Sequence, residues 1–145
     1  MKKVNTRYIS EIKREKKKFS ALTAYDYSTA KVLDEAGIDI ILVGDSLAMV
    51  ALGYENTNSI SMDEMKIFTK AVAKGVSRAM VVCDMPHMSY HCDISSAIVT
   101  IGEAVKAVAN AVKIAVSGEY FYLLINVCSD LGFPVIVITS FTPPV

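Results

Sequence analysis

Apolar positions along the chain fall into two alternating rhythms. Five short, nearly unbroken apolar runs read as strands: FSALTAYD (19–26), IDIILVGD (38–45), AMVVCDMP (79–86), AVKIAVS (111–117) and FPVIVITSF (133–141). Between them lie segments with helical spacing: DYSTAKVLDEAG (26–37), SMDEMKIFTKAVAKGV (61–76), SSAIVTIGEAVKAVANAV (95–112) and EYFYLLINVCSDLG (119–132). In the first of these, Ala30, Val32, Leu33 and Ala36 mark one face and Gly37 suits the position just past a helix end. In the second, Ser61 stands three residues before Glu64, a capping-box pattern. LAMVALGYENTNSIS (47–61) reads as a loop, and the join between the third helix and the strand after it is the least defined boundary.

Strand, helix, strand, helix predicts βα units and a parallel sheet. The strands run apolar without alternation, as expected for a sheet covered on both faces. The pattern predicts five strands and four helices between them, and by itself leaves open a doubly wound sheet or part of a (β/α)8 barrel. No G-x-G-x-x-G or Walker sequence follows the first strand, which argues against the nucleotide-binding version.

Composition narrows the class. At 145 residues the chain suits one domain with a sizeable core, and 52% apolar residues argue against disorder. The net charge of zero gives no case for nucleic-acid binding. It is unevenly spread: residues 1–18 hold eight basic and two acidic side chains, and the rest of the chain seven and thirteen. A basic start reads as a solvated helix or as an interaction arm. No run is long enough to span a bilayer and no secretory signal is visible, so the expected location is the cytoplasm. Cys83, Cys92 and Cys128 form no disulfide framework, and reduced thiols fit that compartment.

The chemistry gathers at the strand ends, where parallel α/β folds place their ligands. Asp45 and Ser46 close the second strand, Asp84 the third, Asp26 follows the first, and Lys113 lies in the fourth. A carboxylate at the end of a buried strand costs desolvation unless something pairs with it. Two such carboxylates repel, and a hard cation such as Mg2+ would offset the repulsion. The plainer alternative is that each Asp caps the following helix. Cys83, His87, His91 and Cys92 have a C-x3-H-x3-H-C spacing that fits no common zinc pattern. Tyr25, Tyr54 and Tyr90 are expected in loops near the rim, as packing or as ligand contacts.

Three blocks, T-A-Y-D from Thr23, V-G-D-S-L-x-M-V-x-L-G-Y from Val43 and D-M-P-x-x-S-Y from Asp84, occur in order and at a characteristic spacing. Over 23–90, and more weakly beyond, the chain resembles the ketopantoate hydroxymethyltransferase family. The resemblance implies a (β/α)8 (TIM) barrel, of which residues 19–145 would cover the first five strands and four helices, behind a basic helical segment at 1–18. It implies transfer of a hydroxymethyl group from 5,10-methylenetetrahydrofolate to 3-methyl-2-oxobutanoate, giving ketopantoate for pantothenate and coenzyme A synthesis. It further implies Mg2+ held by Asp45 and Asp84, a keto acid held by Asp45, Ser46, Asp84 and Lys113, and a homo-oligomer with no nucleic-acid or membrane partner.

The chain departs from the family pattern at three places. In the fourth strand VKIAVSG keeps Lys113 but has Ala115 where the resemblance implies a third metal-ligating carboxylate; Glu119 is the nearest acid downstream. In the fifth, Ile138 stands at a histidine position and Pro144 at a glutamine position. The sequence ends at Val145, short of the about 250 residues usual for such a barrel; the family's proton-abstracting glutamate would lie beyond, so no catalytic base is assigned. The expectations are therefore an enzyme of this family or a truncated, non-catalytic remnant that binds metal weakly or takes part in assembly. An unrelated open α/β binding module is the third class.

Overall fold

The structure, a computed structural model, describes residues 3–107, 109–115 and 118–138. Five strands, β1 (Ala21–Thr23), β2 (Ile40–Val43), β3 (Met80–Asp84), β4 (Ala111–Ala115) and β5 (Val135–Ile138), form one sheet. They lie in the order β1-β2-β3-β4-β5, and every neighbouring pair is parallel. A doubly wound sheet requires the strand order to reverse at a switch point; the sequential order contains no reversal, and that alternative is set aside.

The helices are α1 (Thr6–Arg14), α2 (Tyr27–Glu35), α3 (Leu47–Val50), α4 (Met62–Gly75), α5 (Ile94–Lys106) and α6 (Glu119–Asp130), with one 3-10 turn at Thr57–Ser59. The segment expected as a loop over 47–61 thus contains a short helix. LAMV is apolar throughout, so it carries no helical periodicity to read. The third long helix stops at Lys106, with four residues between it and β4, and the extension to 112 is corrected: Asn110 instead accepts the Val81 N–H on its carboxamide oxygen at 2.9 Å and sets the start of β4 beside β3. Local capping fixes the starts. Asn5, Asp26, Ser61 and Asp93 each accept a main-chain N–H in the first turn, and the Ser61–Glu64 capping box is complete. Gly37, with φ +86°, ends α2 in the left-handed conformation.

Alternation along the strands separates two faces. Ile41, Val43, Val81, Cys83, Val112 and Ile114 pack against the long helices, meeting Ala30, Met65, Val72, Ile101 and Leu124. Ile40, Met80, Val82 and Ala111 face the other way and meet Val4, with Tyr8 and Ile9 of α1 packed alongside. The basic N-terminal segment is therefore no fully solvated helix: its apolar side covers the lower part of the second face, while Lys13 and Arg14 sit in its last turn, where cations suit the helix dipole. Coverage of both faces holds for β3, buried along its whole length. It fails at the edges. All three residues of β1 are exposed, and in β5 Val137 and Ile138 are exposed, because each strand has a partner on one side only.

Away from the strand C-termini, Asp34 holds the connection into β3. Its carboxylate accepts the N–H and hydroxyl of Ser77 at 2.9 and 2.8 Å, the Arg78 N–H at 3.1 Å and the Ala79 N–H at 2.6 Å. Arg78 in turn binds Asp39 at 2.7 Å, and Asp39 accepts from Ser20. These bonds tie the starts of β1, β2 and β3 together.

Candidate functional site

On the second face the series Met80, Val82 continues to Asp84, and Ala111 continues to Lys113 and Ala115. The register pairs Asp84 with Lys113 across β3 and β4, and the Lys113 Nζ donates to Asp84 Oδ2 at 2.7 Å. The Asp84 side chain is 6% exposed and that of Lys113 20%. Burial raises the Asp84 carboxyl above its usual range, the Lys113 bond and charge oppose the shift, and the nearby Asp45 carboxylate adds to it. The Asp45 N–H lies 3.5 Å from the same Asp84 oxygen, a long contact that brings the end of β2 to the pair.

Ser46 follows at the head of α3, and its hydroxyl is 2.8 Å from the Tyr25 hydroxyl. Gly44 makes room for it, since a Cβ there would stand 3.0 Å from Ser46 Oγ. Tyr54 pins the next loop: its N–H donates to the Ala48 carbonyl at 2.8 Å, and its phenol donates to the Glu64 carboxylate that also closes the α4 capping box.

Asp45, Asp84 and Lys113 thus come together at one rim, while Ser46, next in the chain, has its hydroxyl on Tyr25. Asp26 does not join them: it is exposed, and its carboxylate accepts the N–H and hydroxyl of Thr29 as the cap of α2. Glu119 is an exposed first-turn acid of α6, a place the helix dipole explains. Ala115 ends β4 in register with Ile138, and Pro144 lies outside the described residues. Among the described residues no group of three or more His, Cys, Asp or Glu is placed to hold a metal. The Cys83–Cys92 spacing dissolves accordingly. Cys83 points into the helix-side core, where burial pushes its thiol up to about 11, and Cys92 is exposed. His91 stacks on Tyr90 at 4.1 Å, and burial beside His87 lowers its basicity.

The contacts of Tyr25 and Tyr54 are what sequence reasoning missed, together with a pair of bonds from Tyr90 to Ala115. The signals are that each tyrosine falls inside one of the three motif blocks and is expected near the rim; neither names its partner. The pair of carboxylates, with Lys113 neutralising one, suits a hard divalent cation that keeps several waters, since Mg2+ is commonly held by one or two carboxylates plus substrate oxygens.

A family profile described as ketopantoate hydroxymethyltransferase matches residues 3–144. Two relatives named 3-methyl-2-oxobutanoate hydroxymethyltransferase align closely. That of Thermoanaerobacter sp. (strain X514) is 45% identical over 97% of this chain and 52% of its own length. That of Acetivibrio thermocellus is 46% identical over 97% of this chain and 50% of its own. The chain therefore spans about half the length of the curated relatives it matches. Among solved structures, a phosphonopyruvate hydrolase in complex with oxalate and Mg2+ superposes with TM-score 0.73 at 19% identity, covering 86% of this chain and 48% of that one. A phosphoenolpyruvate phosphomutase from Streptomyces platensis subsp. rosaceus gives 0.72 at 16%, covering 92% and 53%. At such identities these two speak for the fold alone.

Proposed function

The chain belongs to the ketopantoate hydroxymethyltransferase family, and from that premise we propose that it carries the keto-acid and cation site for transfer of a hydroxymethyl group from 5,10-methylenetetrahydrofolate to 3-methyl-2-oxobutanoate. The observation that carries the reading is the Asp84–Lys113 pair at 2.7 Å, set at the ends of adjacent strands with Asp45 beside it. On this reading the sheet is the first five strands of a (β/α)8 barrel. The sequential parallel order and the two superpositions support that, and the unpaired edges of β1 and β5 are where a barrel would continue. The pathway assignment to pantothenate synthesis, a cytoplasmic location and homo-oligomeric assembly go with the same proposal.

Asp45 and Asp84 would hold Mg2+, which when bound polarises a keto oxygen and makes the neighbouring C–H more acidic. The remaining work is done by the chain's own groups. Lys113 places a positive charge beside the developing enolate and the substrate carboxylate. Ser46, steadied by the Tyr25 hydroxyl, offers a hydrogen bond to the keto acid. Asp84 must be ionised to bind a cation, so its burial makes cation affinity fall as pH drops through the carboxyl's raised range.

A second reading is a protein that binds without turnover, favoured by Ala115 and by the lack, among the described residues, of a third ligating carboxylate. Two measurements separate them. Isothermal titration with Mg2+ should show binding that Asp84→Asn abolishes; equal binding by both proteins would place the cation elsewhere. Ketopantoate formation from the two substrates with Mg2+ is then run beside Asp45→Asn, and a rate no higher than that control would leave the binding-only reading.

A further inference from the structure

The last hydrogen bond from the β3 segment to β4 on that edge runs from the Met85 N–H to the Lys113 carbonyl, at 3.0 Å. Two residues on, Ala115 presents its N–H and C=O in the same direction, because main-chain polar groups in a strand repeat with period two. There β3 has ended at Asp84, and His87, whose N–H would next reach β4, lies outside the strand. Both groups of Ala115 are taken instead by one side chain. The Tyr90 hydroxyl accepts the Ala115 N–H at 3.1 Å and donates to the Ala115 carbonyl at 3.1 Å. Tyr90 is 4% exposed, its ring packs against His91 and Phe121, and its own carbonyl accepts the Tyr120 hydroxyl at 3.0 Å.

We propose that Tyr90 is a positioning residue whose hydroxyl substitutes for the missing β3 strand, fixing the end of β4 so that residue 115 stays on the same face as Lys113. Position 115 is where the family resemblance implies a third carboxylate, and Tyr90 would hold that position in place with or without one. The inference rests on the cation reading of Asp84 for what position 115 could do, but its structural half stands without it.

Tyr90→Phe removes the hydroxyl and keeps the ring. By hydrogen exchange the Ala115 amide should then open about tenfold more readily relative to the Val112 amide, the effect of losing the two bonds the hydroxyl makes to the Ala115 main chain. Unchanged exchange at Ala115 would overturn the proposal. The second readout is Mn2+ binding in four proteins: native, Ala115→Glu, Tyr90→Phe and the double variant. Ala115→Glu should tighten Mn2+. Adding Tyr90→Phe should remove about tenfold of that affinity, as for other groups that orient a metal ligand, while Tyr90→Phe alone leaves the native affinity unchanged. A gain that survives Tyr90→Phe, or no gain from Ala115→Glu at all, would equally overturn the proposal. Should Tyr90→Phe not fold, Tyr120→Phe, which frees the Tyr90 main chain, must speed Ala115 exchange in the same direction or the proposal fails. Asp84→Asn in the Ala115→Glu background distinguishes the two layers: Mn2+ binding that persists there refutes the cation reading, and the exchange result still judges Tyr90.

Discussion

Lys113→Met isolates the buried ion pair. The substitution keeps most of the side-chain volume and removes the ammonium that lies 2.7 Å from Asp84 Oδ2. Asp84 is then a carboxylate with a 6% exposed side chain, left, among the described residues, with only the long contact from the Asp45 N–H at 3.5 Å. Breaking a buried pair by removing one partner costs about 3–5 kcal/mol. The low end, about 3 kcal/mol, is expected because Lys113 itself keeps 20% of its side chain in water. The pH dependence has a definite sign. Burial already raises the folded-state carboxyl of Asp84, and without Lys113 it rises further. A raised carboxyl favours the folded state fully at acid pH, below the unfolded carboxylate range, and that contribution is lost as pH climbs to the folded pKa. The deficit of Lys113→Met relative to the native protein should therefore be smallest at acid pH, widen as pH rises and then level off. Urea unfolding across that range, with Asp84→Asn and Lys113→Met/Asp84→Asn alongside, measures it. The double variant should recover most of the loss, since no buried charge is left unpaired. A deficit that does not vary with pH, or a double variant no more stable than Lys113→Met, would refute the assigned pairing.

Three further outcomes follow from other parts of the molecule. Gly75→Ala puts a Cβ 2.5 Å from the Tyr27 carbonyl and 3.1 Å from the Lys31 nitrogen, where α4 crosses α2; thermal unfolding should show a loss of about 1–3 kcal/mol from overpacking, despite alanine's better helix propensity. Asp34 is pushed up by burial but held below the usual carboxylate range by its bonds to Ala79, Ser77 and Arg78. Its contribution to stability is therefore present above the unfolded carboxylate pKa and lost as pH falls through its lowered folded value; Asp34→Ala should be less stable at neutral pH and flatten the acid limb of the stability profile. In thiol labelling of the native protein Cys92 should react first, because it is exposed while Cys83 and Cys128 are buried with raised thiols.

The sequence by itself determined the alternation of strands and helices, the capping box at Ser61, the parallel sheet and the placing of Asp26, Asp45, Ser46 and Asp84 at strand ends with Lys113 in the fourth strand. Those signals are local: apolar runs, helical spacing and first-turn caps depend on residues a few positions apart. It could not separate Asp26, whose carboxylate is spent on Thr29, from Asp45 and Asp84, because all three follow a strand and only the finished fold shows which carboxylate has a partner nearby. Nor could it show that β1 is exposed throughout, since exposure at an edge depends on what lies beside the strand and not on the strand's own residues. The Asp34 connection joins residues 43 to 45 positions apart, the Tyr25–Ser46 bond 21 and the Tyr90–Ala115 pair 25. Such contacts are fixed by inter-strand register, which is set when the two faces of the sheet are buried against the long helices and α1. A shift of one residue in β4 would turn Lys113 to the opposite face, away from Asp84. Tertiary packing therefore decided that an aspartate and a lysine, each explicable alone as a strand-end polar group, became a pair with Asp45 beside them.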